Sequence, residues 1–152
     1  MSKPKNQPVP IVLALLKNNE GKFLLQLRHD EDFLTANNKW ELPGGKIEFG
    51  EQCHETAIRE CREEIGCEIE IVRALPLFIS NIWEHADGSK AQAICLSYEG
   101  RIVSGEPESR EADVKEIGWF TPEEVTKLDC LPGIQEIVKL AISTGSVALN
   151  SN

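Results

Sequence analysis

The chain has 152 residues, enough to bury one core, and its 41% hydrophobic and 27% charged content is that of an ordinary globular domain rather than a disordered or fibrous one. A formal net charge of -9 opposes polymeric DNA or RNA, whose affinity rests on Lys and Arg neutralising phosphates. It leaves room for a small phosphorylated ligand, provided divalent cations supply the positive charge.

Five cysteines, Cys53, Cys61, Cys67, Cys95 and Cys130, form no CxxC pair, which argues against a disulfide framework or a zinc site and for a reducing compartment. The opening MSKPKNQPVP has no apolar leader core, and no apolar run approaches the roughly 18 residues of a membrane span. A cytoplasmic protein without membrane attachment is expected. Residues 1–8 read as a flexible N-terminus, 9–144 as a single domain and 145–152 as a flexible tail.

In chain order, Val9 to Leu16 and Phe23 to Arg28 are apolar runs separated by Asn18-Asn19-Glu20-Gly21, which predicts a hairpin. His29 to Lys39 is polar and aperiodic and runs into Trp40-Glu41-Leu42-Pro43-Gly44-Gly45, where proline and paired glycines predict a loop. His54, Ala57, Ile58, Cys61 and Ile65 then recur at helical spacing, with Gly66 placed to end the helix.

Glu68 to Ala74, Leu77 to Trp83 and Ala91 to Tyr98 read as strands, the last two joined at Ala86-Asp87-Gly88-Ser89. Val114 to Phe120 follows the acidic loop Ser104 to Asp113 as another strand. Thr121-Pro122-Glu123-Glu124 has a capping-box start, and Gly133 to Ser143 has a helical period closed by Gly145. The element pattern predicts an α+β fold with helices packed on a mixed sheet.

The helix after Gly50 carries Glu60, Glu63 and Glu64. At about 100° per residue, Glu64 lies about 20° outside the apolar face, Glu60 about 60° and Glu63 about 120°. A solvated acidic surface accounts for Glu63. It accounts poorly for Glu60 and Glu64, because like charges four residues apart cost roughly 0.2–0.5 kcal/mol in the open and more beside a core. A divalent cation such as Mg²⁺, which takes carboxylate oxygens and keeps waters for substrate phosphates, would compensate. Arg59 has a candidate partner in Glu51 and reads as an orienting residue. Gly44-Gly45 lets the backbone approach a ligand closely.

Gly45, Glu51, Arg59-Glu60, Glu63-Glu64 and Gly66 reproduce the pattern G-x5-E-x7-R-E-U-x-E-E-x-G-U, in which U is a bulky aliphatic residue. The segment resembles the Nudix box at every fixed position, and the lead-in Trp40-Glu41-Leu42-Pro43-Gly44 and the late Gly118-Trp119-Phe120-Thr121-Pro122-Glu123-Glu124 are similar to the family as well. Cys61 and Cys67 at the two U positions depart from it, as small hydrophobes that loosen packing without touching the chemistry.

The resemblance implies a Nudix α/β/α sandwich and an Mg²⁺-dependent hydrolase, with Mn²⁺ as substitute, acting on a nucleoside diphosphate linked to another group. It implies Glu60 and Glu64 as principal metal ligands, Glu63 as a further ligand or the base, the Gly45 carbonyl as a possible ligand, and Glu51 and Arg59 as supports of the loop and helix. The base comes from the box or from the later acidic loop, here Glu106, Glu108 or Glu111. A homodimer is the family expectation.

Among family branches, Ile82 to Asp87 contains neither the proline of many ADP-ribose hydrolases nor the tyrosine of many diadenosine polyphosphate hydrolases. The chain most resembles the nucleoside-triphosphate pyrophosphohydrolases, which release a nucleoside monophosphate and diphosphate. ADP-ribose or nucleotide-sugar hydrolysis is the alternative, and a non-catalytic nucleotide sensor the third reading. Phe78 and Trp83 are candidates for stacking on the base. Trp40 reads as packing under the glycine loop, His54 as a core-facing histidine, and His29 and His85 as surface residues.

Overall fold

β1, Pro8–Leu16, is apolar without alternation because both its faces are covered. Val12, Ala14 and Leu16 pack with Ala57, Cys61 and Ile65 of α1, Cys53–Ile65. Leu15 packs on the other side with Ile137, Val138 and Ala141 of α3, Ile134–Leu149. The computed structural model describes residues 6–149, with side chains through Gly145.

The remaining elements are β2 (Phe23–Arg28), β3 (Trp40–Glu41), β4 (Gly44–Lys46), β5 (Glu68–Glu84), β6 (Lys90–Ser104), β7 (Val114–Phe120) and α2 (Pro122–Val125). One sheet has the order β4-β1-β6-β5, with β1 and β6 parallel and the other pairs antiparallel. The second has the order β3-β2-β7 and is antiparallel. Helices thus cover both sides of the sheets, the expected α/β/α sandwich. No described helix is long and apolar enough to cross a membrane.

Several local expectations are corrected. The turn after Leu16 forms, with Asn18 Oδ1 accepting from the Glu20 and Lys22 amides at 3.0 and 2.9 Å. Its arms then part into different sheets instead of pairing as a hairpin, with an isolated bridge at Lys17–Phe23 and side-chain packing of Leu15 on Phe23 and Leu25 between the sheets. Within the expected loop at 40–45, Trp40–Glu41 joins β2 and Gly44 and Gly45 join β1, because each stretch meets an open sheet edge.

The two strands expected on either side of Pro76 are one strand, β5, with a register shift between Leu75 and Ile79. That irregularity on an edge strand accommodates a residue with no N–H to donate. Gly145 does not end α3, which continues to Leu149. Arg73 of β5 holds this end through the Thr144 hydroxyl and the Ala141 carbonyl at 2.8 Å. Residues 1–5 and 150–152 of the expected flexible ends lie outside the described residues.

His54 is exposed, and Thr56 takes the inward place, donating its hydroxyl to Glu51. His85 is half-buried against Phe33, with ring centroids 4.2 Å apart, rather than free at the surface. Trp40 packs edge-on against Phe120 at 4.9 Å.

Candidate active site

Gly66 ends α1 in the left-handed conformation at φ 72, where a residue without a Cβ fits best. The helix carbonyls there are taken by the following acidic loop. The Glu108 amide donates to Ile65 O at 3.1 Å and the Arg110 amide to Glu64 O at 2.8 Å. These bonds satisfy carbonyls that a helix end leaves open, and they bring the next residue, Glu111, over the same pocket as Glu60 and Glu64.

At the other side of the pocket β4 supplies the glycines. The Gly44 amide donates to Glu64 Oε2 at 3.0 Å. A Cβ at Gly44 would run into the backbone of β1, and one at Gly45 into the Glu60 carboxylate, so the strand approaches as closely as it does only with glycine at both positions.

Arg59 organises the carboxylates. Its guanidinium donates to Glu51 at 2.7 and 3.1 Å, to Glu60 at 2.9 Å, to Glu63 at 3.1 Å and to the Lys46 carbonyl at 3.1 Å. These bonds, with that from Thr56, hold the Glu51 carboxyl down at about 2. Burial pushes Glu60 above its ordinary range despite Arg59. Glu64 is pushed to about 8, first by burial and then by the charges of Glu60, Glu41 and Glu111, against the opposing Gly44 amide.

The pocket, about 380 Å³, has two halves. One is acidic, with Glu60, Glu64, Glu111 and Glu41. The other has an apolar floor from Ile11 and Leu13 of β1, Cys95 of β6 and Ile79 and Trp83 of β5, faced by Leu131, Pro132 and Ile134. A larger cavity of about 980 Å³ beyond Phe33 and Trp83 is lined by Lys46, His85 and Lys90, with Asp87 its carboxylate. Chemistry, rather than size, distinguishes the smaller pocket.

Of the residues expected from the sequence, Gly45, Glu60, Glu64, Glu111 and Trp83 meet in this pocket. Glu51 and Arg59 stand behind it as a support. Glu63 is on the outer side of α1, with its side chain 54% exposed and tied to Arg59. Glu106 is exposed, and Glu108 has a side chain 73% exposed that faces Arg110 at 4.0 Å. Phe78 is 75% exposed and does not line the pocket, which takes Ile79, Asn81 and Trp83 at alternate positions of β5.

Glu41, Arg28 and Asn81 line the pocket without having been singled out. Glu41 is buried and accepts from Gln26 Nε2 and Arg28 Nη1, each at 3.3 Å. Arg28 is also bonded to Asp30 at 3.1 Å. The available signal was a charged residue inside the Trp40-Glu41-Leu42 run, with Gln26 and Arg28 alternating on the strand opposite.

Among the described residues, no three carboxylate, histidine or cysteine groups already stand together as a metal cage. Arg59 occupies Glu60 and Glu63 instead. The donor set nevertheless fits a hard divalent cation: carboxylates crowd a half-buried pocket, and burial, with the neighbouring carboxylates adding to it, holds one of them near 8.

A family model described as NUDIX domain matches residues 7–140. Nucleoside triphosphatase NudI of Enterobacter sp. strain 638 is 29% identical over 129 residues, covering 78% of this chain and 86% of that protein. MutT4 of Mycobacterium tuberculosis strain CDC 1551 is 35% identical over 80 residues, which is 53% of this chain but only 32% of that protein's length. The crystal structure of a MutT NUDIX hydrolase from Burkholderia pseudomallei superposes with a TM-score of 0.70 at 25% identity, covering 89% of this chain and 98% of that one.

Proposed function

The chain belongs to the NUDIX domain family, and on that premise we propose that it is a nucleoside-triphosphate pyrophosphohydrolase that releases a nucleoside monophosphate and diphosphate. The observation that carries this reading is the division of one pocket into a carboxylate-rich half and an apolar half, matched to the phosphates and the nucleoside of one substrate. The relative named nucleoside triphosphatase supports the same substrate class.

Glu60 and Glu64, with the Gly45 backbone beside them, would hold Mg²⁺, or Mn²⁺ in its place. Once bound, the ion supplies the charge that neutralises the diphosphate and lowers the pKa of a bound water. Glu111, brought in by its docked loop, is the base that accepts the water proton. Glu63 is a further ligand if it leaves Arg59. Glu51 and Arg59 keep the helix and the glycine strand in register by the bonds already described. Trp83 walls the nucleoside half. Residues 9–144 act as one domain, and the unpaired state of its five cysteines is in keeping with a reducing cytoplasm.

We place a homodimer interface on the outward face of edge strand β5, where Val72, Phe78 and Ile82 are 53%, 75% and 56% exposed. This gives Phe78 a role away from the base. ADP-ribose and nucleotide sugars are the second substrate reading.

The test is product analysis on a panel of NTPs, dNTPs, oxidised dNTPs, ADP-ribose and nucleotide sugars with Mg²⁺. Nucleoside monophosphate plus diphosphate from an NTP is the expected result. Two monophosphates from ADP-ribose, with NTPs untouched, would replace the first reading by the second.

A further inference from the structure

On the apolar half of the pocket, one β5 side chain between Ile79 and Trp83 is polar. Asn81 donates its Nδ2 to the carbonyl of Pro132 at 2.9 Å. A carbonyl can only accept, so this bond fixes which end of the amide is nitrogen. The amide oxygen is thereby left on the other side, and no described donor reaches it.

Gly133, at φ +95, makes this geometry possible. Ile79 occupies the space a Cβ would need there, so the segment from Leu131 to Ile134 lies directly against β5. The amide is therefore held between a strand and a closely packed turn rather than swinging freely. Its surroundings on the floor are Ile11, Leu13, Ile79, Cys95 and Trp83, none of which offers a competing acceptor side chain.

We propose that Asn81 is a specificity-determining residue that accepts a hydrogen bond from an exocyclic amino group of the substrate's nucleobase, so that amino-bearing bases are favoured. The inference rests on the nucleotide reading above and deepens it. An acceptor fixed in an apolar setting rewards a donor, and it penalises a base edge that presents C–H or a carbonyl, because the oxygen is then desolvated without a partner. Asn81 is half-buried, so the discrimination is tens of fold rather than the far larger factors of an enclosed site.

The experiment uses triphosphate pairs that differ in a single amino group: GTP against ITP, ATP against purine riboside triphosphate, and CTP against 2-pyrimidinone riboside triphosphate. In the wild-type protein the amino-bearing member of at least one pair should have a kcat/KM about tenfold higher or more, through KM. Asn81→Leu should bring that pair within about twofold of each other, chiefly by raising KM for the amino-bearing member.

No wild-type pair differing by more than about threefold would overturn the proposal, as would a preference that survives in Asn81→Leu. Hydrolysis of the panel without amino discrimination removes this inference alone. Absence of nucleotide hydrolysis removes the function it rests on as well.

Discussion

Replacing Glu64 by Gln should lower activity at least about tenfold and yet stabilise the metal-free fold at alkaline pH. The Glu64 carboxyl ionises at about 8 in the folded protein against 4.5 in its ordinary state. A raised folded-state pKa means that the native chain holds its proton more tightly than the unfolded chain does. The associated stability is complete below pH 4.5 and is lost as pH rises to about 8.

At roughly 1.36 kcal/mol per pH unit the ceiling of that loss is about 5 kcal/mol. Water entering an open pocket and movement of the exposed 104–113 loop reduce it, and about 2 kcal/mol is the value we expect at pH 9. Gln is isosteric, stays neutral and can still accept from the Gly44 amide. Denaturant unfolding in EDTA at pH 5, 7 and 9 should therefore give near-equal stabilities at pH 5 and a growing advantage for Glu64→Gln above it. The same variant should lose at least about tenfold in hydrolysis with Mg²⁺. A constant or reversed stability difference across this range would refute the reasoning about burial and like charge.

Glu51 should behave oppositely. Its folded-state carboxyl lies at about 2, below the usual 4.5, so its contribution is present above pH 4.5 and is lost as pH falls toward 2; in acid unfolding, Glu51→Gln should show a shallower loss over this window than the wild type. Gly45→Ala should keep the fold but displace the Glu60 carboxylate and lower kcat about tenfold or more, whereas Gly44→Ala, blocked by β1 backbone, should cost about 1–3 kcal/mol or more of stability by denaturant titration. Phe78→Glu with Ile82→Lys should convert a dimer to a monomer by light scattering with the fold retained by circular dichroism, and a dimer that persists would put the interface elsewhere.

Residues close in sequence were the legible part of the site. Gly45, Glu51, Arg59, Glu60 and Glu64 lie on one strand, turn and helix, so their spacing alone specifies which side chains converge. Glu41, Arg28 and Asn81 come from strands whose meeting depends on sheet order, and no local spacing encodes it. The same limit applied to β1 and β2, which were recognisable as strands from their apolar runs. Burial on both faces removes the alternation that would have revealed their register and partners. Gly145 misled for a related reason: the bonds from Arg73 to Ala141 and Thr144 are tertiary and carry α3 beyond a residue that locally favours a stop.

The most direct test of the account is the hydrolysis of the preferred nucleotide by protein freed of metal with EDTA, followed by titration with Mg²⁺, in wild type and in Glu60→Gln. Turnover should be absent without metal, recover on adding Mg²⁺, and fall at least about tenfold in Glu60→Gln at saturating nucleotide. Turnover that is indifferent to EDTA, or a fully active Glu60→Gln, would contradict the account.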